Sequence, residues 1–165
     1  QQTITTVPGD MVDDMPSGPF DVVLIGFNTL FNLETQERQQ ACLNACSQAL
    51  TPDGIVVIEG LTPPQQPDGG MVDDVSIRSM TATRVVLSIS RHHGADQLLE
   101  GQFVEFSEEQ GVRLRPWSIR YATIDQLDAM ATTAGLEVTA RFNDASRSGF
   151  DPASGRHLTV YSRSR

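Results

Sequence analysis

Three small groups of residues in this chain could do chemistry: two adjacent histidines, a carboxylate beside a thioether, and an asparagine turn after an apolar run. His92 and His93 carry imidazoles that titrate near neutrality, so either could act as a general base. The plain alternative for a pair at the edge of a turn is simple exposure. Gly9-Asp10-Met11 sets one carboxylate next to one soft thioether, directly after the β-branched run Thr3 to Val7. Gly26-Phe27-Asn28-Thr29 follows the apolar run Val22 to Ile25. In open α/β sheets, ligands gather beyond the carboxyl ends of strands, which is where such a turn would lie. Trp117 and Tyr121 combine a large apolar body with a polar tip, suited to a binding wall or to a sheet core. Cys42 and Cys46 fall on consecutive turns of one predicted helix, a poor disulfide geometry, and no second ligand pair exists for zinc. They read as small apolar core residues, and no metal site is expected. The doublets Asp13-Asp14, Asp73-Asp74 and Glu108-Glu109 lack a spacing for paired acid–base work and read as solvated turns. No G-x-S-x-G, H-E-x-x-H or G-x-x-x-x-G-K-[ST] motif is present.

These groups need elements to place them. Phe20 to Ile25 reads as a buried strand running into a loop. A helix over about Thr35 to Leu50 follows, with Cys42, Leu43, Cys46, Ala49 and Leu50 at helical spacing. Pro52-Asp53-Gly54 stops it, and the run Ile55 to Ile58 opens a second strand. Strand, helix, strand is a βαβ unit with parallel pairing. A continuous apolar run suits a strand covered on both faces. Glu59, at the end of that strand, is either at the rim of a site or a solvated charge. Thr3 to Val7 is β-branched and reads as a short strand closed by Pro8-Gly9. Pro63 to Gly70 reads as a linker. Beyond it, Val75 to Met80, Arg84 to Arg91, Gln102 to Phe106 and Val112 to Tyr121 alternate polar with apolar. Turns at His93 to Asp96 and Ser107 to Gly111 make these an antiparallel sheet of three or four strands with one side toward water. Thr123-Ile124-Asp125-Gln126 is a capping box, Leu127, Met130, Ala131 and Ala134 form an inward face, and Gly135 supplies a left-handed stop. Leu136 to Phe142 and His157 to Tyr161 read as two last strands, with His157 structural.

In the order of these residues, Phe20 to Leu61 resembles the second half of a class I S-adenosylmethionine-dependent methyltransferase of the small-molecule type. Leu50-Thr51-Pro52-Asp53-Gly54 is similar to the family's Leu-x-Pro-Gly-Gly turn, with Asp53 in place of the first glycine. The segment Phe27 to Leu33 resembles the pattern Phe-Asn-Thr-Leu-Phe-Asn-Leu of small-molecule methyltransferases. The antiparallel insert resembles a lid sheet that covers the substrate and can pair subunits. The fold class implied is α/β: a partial Rossmann-like methyltransferase sheet over 1–68 and 122–165, with an inserted antiparallel β-sheet over 69–121. The cofactor implied is S-adenosylmethionine. By the same resemblance, Asp10 accepts from the adenine amine and Met11 packs on the ring, while Gly26, Phe27 and Asn28 line the methionine part. An aromatic ring there suits the dispersed charge of a sulfonium. Trp117 and Tyr121 become acceptor-site residues, Phe31 and Leu33 core, and Asn32 a loop residue or N-cap. The reaction implied is in-line methyl transfer to N, O or C of a small molecule, where alignment supplies most of the effect. A base, His92 or His93, is needed only if the acceptor arrives protonated.

Bulk properties set the partners. A chain of 165 residues fits one domain, and 39% hydrophobic with 20% charged residues is ordinary for a globular protein. A net charge of −9 argues against nucleic acid. No apolar run approaches the ~18 residues of a membrane span, and no signal peptide is visible. With the unpaired cysteines, the expectation is the cytoplasm. The chain starts at Gln1, which suggests trimming or residues upstream. The family's glycine-rich loop and ribose-holding acid have no counterpart; Gly9 and Gly18 do not form such a loop. By family topology Thr3 to Val7 does not pair with the next strand, so Val22 to Ile25 is expected to carry a bare apolar edge, which invites association. Three resolutions are expected: a missing N-terminal half supplied elsewhere, an unusual closing pairing, or a homodimer through that edge. Two functions stay open: a methyltransferase working as part of a longer or assembled enzyme, and a non-catalytic ligand-binding or dimerisation module derived from one. The first requires Asp10 and the Gly26 to Asn28 loop to border one nucleoside-sized hollow.

Overall fold

The computed structural model describes residues 3–63 and 71–164; most of the expected linker lies outside the described residues. In chain order the elements are β1 (Phe20–Ile25), α1 (Gln36–Ala49), β2 (Leu50–Leu61), β3 (Met71–Met80), β4 (Arg84–His93), β5 (Leu98–Ser107), β6 (Gly111–Arg120), α2 (Ile124–Thr133), β7 (Leu136–Phe142) and β8 (Arg156–Arg163). They form two units, one of residues 3–63 with 122–164 and one of residues 71–121. Among the described residues no helix is long and apolar enough to cross a membrane.

The first unit is a four-stranded sheet in the order β1-β2-β8-β7. β1 and β2 run parallel, joined through α1, as the βαβ pattern predicts. β8 then enters antiparallel to both β2 and β7. Helix α1 begins where Thr35 accepts from Arg38 N–H at 3.2 Å, so Thr35 and not Asn32 is the cap. Helix α2 carries the full capping box: Gln126 N–H donates to Thr123 Oγ1 at 3.2 Å, and Thr123 N–H to Gln126 Oε1 at 2.9 Å. Gly135 ends it at φ 75°, the left-handed region where a side chain is strained. The helices touch, with Gln40 Nε2 donating to Met130 O at 3.0 Å, so both lie over one face of the sheet. Beneath them Phe31, Cys42, Leu43, Cys46, Val56, Ile58, Leu127 and Tyr161 are buried. The cysteines are free and belong to this core.

Three expectations need correction here. β2 is not covered on both faces: Val56 and Ile58 are buried while Ile55 and Val57 are only half-buried. The run is continuous because both faces are apolar, but helices cover one of them. Pro52-Asp53-Gly54 is not a free turn. Phe20 pairs with Leu50 and Val22 with Ile55, so residues 51–54 are a bulge within β2. Thr3 to Val7 forms no strand, and Ile4 is 91% exposed. Strand propensity without a partner strand does not make a strand. Among the described residues β1 pairs with β2 alone and no unusual pairing closes the sheet, and Val22 and Leu24 are exposed on it.

The second unit is an antiparallel meander, β3-β4-β5-β6. Cross-strand rows such as Val75–Ile89–Gln102–Pro116 and Ile77–Leu87–Val104–Leu114 fix its two faces. One face presents Val75, Ile77, Ile89, Phe106, Val112 and Leu114 as exposed apolar groups. The other carries His92, Phe103, Glu105 and Trp117. There the buried Glu105 is clamped by Arg84 Nε at 2.5 Å and by Arg115. Arg84 beside it holds its carboxyl below the usual range.

Candidate functional site

β1 delivers the chain into a strained turn. Phe27 and Asn28 stand at φ 53° and 61°, two consecutive left-handed residues that carry side chains. Such a conformation costs about 1–2 kcal/mol per residue and needs surrounding structure to enforce it. The end of β2 does so. Phe27 N–H donates to Glu59 Oε2 at 3.0 Å, Asn28 N–H to Glu59 O at 3.1 Å, and Leu61 N–H to Asn28 Oδ1 at 2.6 Å. Thr29 closes the turn, its hydroxyl and its N–H both donating to Gly26 O, at 2.6 and 3.1 Å. The result displays the Phe27 ring 88% exposed. A Cβ at Gly26 would meet only Glu59 Oε2, at 3.6 Å, so the backbone there is open to approach. Leu30, Phe31 and Leu33 anchor the next segment in the core, as predicted for Phe31 and Leu33.

Asp10 is tied to the same end of the βαβ unit. Its Oδ1 accepts from Val12 N–H at 2.8 Å, Asp13 N–H at 3.2 Å and Arg38 NH2 at 2.6 Å. Those backbone donors, with Arg38, hold its carboxyl below the usual carboxylate range. Oδ2 is left without a partner among the described residues. Arg38 also pairs with Asp13 at 3.0 Å. It stands in the first turn of α1, the helix that the Phe27–Asn28 turn feeds. A cation in the first turn opposes the helix dipole, and Asp10 and Asp13 offset it. Met11 is half-buried beside them. Neither Asp10 nor residues 26–28 line the concave regions found among the described residues, so the shared hollow that the first function requires is not seen there. Two concave regions among the described residues lie elsewhere. One, of about 490 Å³, is against Leu50, Asp53 and Arg163; the other, of about 720 Å³, is over Arg91, Glu100 and Trp117.

In the second unit the structure joins two residues that the sequence placed in different roles. His92 Nε2 and Tyr121 Oη lie 2.8 Å apart, both buried. Burial, then the neighbouring His93, lowers the His92 pKa, and burial raises that of Tyr121. The histidines do stand at the edge of a turn, ending β4, but they are not simply exposed: they lie on opposite faces, His92 is buried, and His93 Nε2 lies 3.1 Å from Glu100 Oε1. Trp117 forms a separate cluster. Its ring centroid is 6.0 Å from that of Phe103, its Nε1 is buried without a partner among the described residues, and it lies over Gly101. Sequence reasoning missed Arg38, whose signal was its place against the helix dipole. It left the role of Glu59 open, because that role depends on the β1–β2 register.

No protein-family model matches the chain, and no curated protein matches it in sequence. Solved structures do. The CcbJ methyltransferase of Streptomyces caelestis is 33% identical with a TM-score of 0.85, over 96% of this chain and 63% of its own. The chain has the fold of S-adenosylmethionine-dependent methyltransferases. DesVI of Streptomyces venezuelae shares 27% identity at a TM-score of 0.65, over 94% of this chain and 64% of its own. CalS10 of Micromonospora echinaspora, an amino pentose methyltransferase with SAM bound, has the same fold at 24% identity and a TM-score of 0.63, over 94% and 63%. This methyltransferase-fold chain thus spans less than two thirds of the length of each of these proteins.

Proposed function

We propose that this chain takes part in methyl transfer from S-adenosylmethionine to a nucleophilic N, O or C of a small molecule, within an assembly that pairs the free edge of β1. The observation that carries this reading is the strained turn at the end of β1, gripped by β2 and presenting an exposed aromatic ring. Likeness to CcbJ supports it.

The residues present fit one edge of such a cofactor. Asp10 Oδ2 would accept from the adenine amine, with Met11 as the soft apolar contact. Gly26 leaves its backbone open, and the Phe27 ring suits a dispersed positive charge. Asn28 serves the turn itself, because its carbonyl oxygen is spent on Leu61. S-adenosylmethionine, when bound, supplies an electrophilic methyl on sulfur. In the second unit His92, kept neutral by burial, would accept a proton from an acceptor that arrives charged. Tyr121 would fix the His92 ring through their hydrogen bond, and Trp117 would wall the acceptor.

A second reading, a ligand-binding or dimerisation module without catalysis, is favoured by the exposed apolar face of the β3-β4-β5-β6 sheet. Calorimetry of the 165-residue chain with S-adenosylhomocysteine separates the two. Micromolar binding that weakens at least tenfold in Asp10→Ala is expected for the first; no heat at millimolar ligand would leave the second.

A further inference from the structure

We infer that Glu59 is the positioning residue of the Phe27–Asn28 turn, holding it in its left-handed form through its side-chain oxygen. Two adjacent residues with side chains do not hold φ 53° and 61° unaided. Three hydrogen bonds from the end of β2 oppose that strain, and two of them run through Glu59: Oε2 takes Phe27 N–H at 3.0 Å, and the main-chain oxygen takes Asn28 N–H at 3.1 Å. The second would survive any substitution. The first depends on the side chain alone, and it reaches the residue that displays the ring. Without it, Phe27 N–H loses its acceptor and the chain can relax toward negative φ, carrying the ring away.

The position explains why an acid stands there. β2 and β8 place Glu59 opposite Leu158, and its neighbours Gly60 and Ile58 face the core. Glu59 is half-buried and has no basic partner among the described residues. An acid paired with no cation is a poor choice for stability alone. Its observed use is to accept from one backbone N–H across 32 positions of sequence. A charged acceptor makes a stronger bond to N–H than a neutral one.

The role rests on the functional reading above only where it says what the turn is for. The experiment separates the two with variants of equal length: Glu59→Gln keeps an acceptor oxygen, and Glu59→Met removes it. In the 165-residue chain, amide hydrogen exchange at Phe27 is measured by NMR, with S-adenosylhomocysteine affinity as the second readout. Glu59→Met is expected to speed exchange at Phe27 by about tenfold or more and to weaken binding by a similar factor. Glu59→Gln should stay within about threefold on both. Exchange at Val56 and Ile58 reports the core and should not change. Unchanged protection at Phe27 in Glu59→Met, or equal damage from Gln and Met, overturns the assignment. Lost protection with unchanged affinity would support Glu59 as the holder of the turn and overturn the part given to the turn in ligand binding. If the wild-type chain binds no S-adenosylhomocysteine, the functional reading fails, and the exchange rates still decide whether Glu59 holds the turn. Should Glu59→Met not fold, Glu59→Ala takes its place in the same comparison.

Discussion

Phe27 tests whether strain has been kept for the sake of a side chain. Its ring is 88% exposed, so replacing it removes little packing, while glycine adopts φ 53° freely. Phe27→Gly is expected to raise stability by about 1 kcal/mol, read from urea midpoints. It is also expected to weaken S-adenosylhomocysteine binding; a variant that gains stability and keeps full affinity would show that the ring does nothing for the ligand. His157 carries the opposite kind of cost. It is 1% exposed, its Nδ1 lies 2.9 Å from Thr159 Oγ1, and its Nε2 has no partner among the described residues. Burial, with Arg141 nearby, lowers its pKa from 6.5 to about 4. A folded pKa below the unfolded one means that protonation favours unfolding, so stability is complete above 6.5 and falls as pH drops toward 4. The shift corresponds to roughly 3 kcal/mol in full, of which about 2 is lost between pH 7 and pH 5. Urea midpoints at those two pH values should show the loss, and His157→Asn should flatten it. At this scale the sequence was partly legible. A histidine opening a strand was read correctly as structural, because burial follows from strand pattern. The hydrogen bond from Phe27 to Glu59 was not legible, because it exists only once two strands are in register.

Elements defined by local chemistry were read closely, as were the parallel β1–β2 pairing and the antiparallel meander, while other long-range pairings were missed. The capping box at Thr123 and Gln126 needs only four consecutive residues, and it is present in full. Thr123→Ala should cost about 1 kcal/mol, seen as a lower melting temperature. The four strands of the meander were placed by polar alternation, with ends that extend by a few residues. The β-branched run at Thr3 to Val7 failed because no strand lies beside it. The bulge at residues 51–54 was hidden because Pro-Asp-Gly signals a turn whether or not the flanking residues stay paired. Close packing inside the meander also escapes the sequence. Gly101 sits beneath Trp117, and a Cβ there would come 2.3 Å from Ile89 O and 2.7 Å from the Trp117 ring. The backbone oxygen cannot swing away as a side chain can. Gly101→Ala is therefore expected to cost roughly 2 kcal/mol or more, while Gly149→Ala, with open space around it, should change little. Similar melting temperatures for the two variants would contradict this packing.

At the scale of the whole molecule, the exposed apolar surface calls for a partner. The exposed face of the meander brings Val75, Ile77, Ile89, Phe106, Val112 and Leu114 together, and contiguous exposed patches of this kind mark interaction sites. A second copy of the chain is the proposed partner, because a two-fold axis sets an apolar face against its own image without opposing charge to charge at the centre. Yet the chain carries −9, and two copies repel at long range. The balance of these terms makes a specific expectation. Sedimentation velocity should show association that strengthens with salt up to physiological ionic strength and beyond, as repulsion is screened and apolar burial is not. Leu114→Asp, which places like charges across the axis, should return the chain to a monomer. Leu24→Asp, on the free edge of β1, should leave the association unchanged if the meander face is the contact, and abolish it if the strand edge is. Weakening of the association by salt would instead mean that ion pairs such as Arg91–Asp73, at 2.7 Å within one chain, exchange partners between copies, and the apolar face would not be the cause.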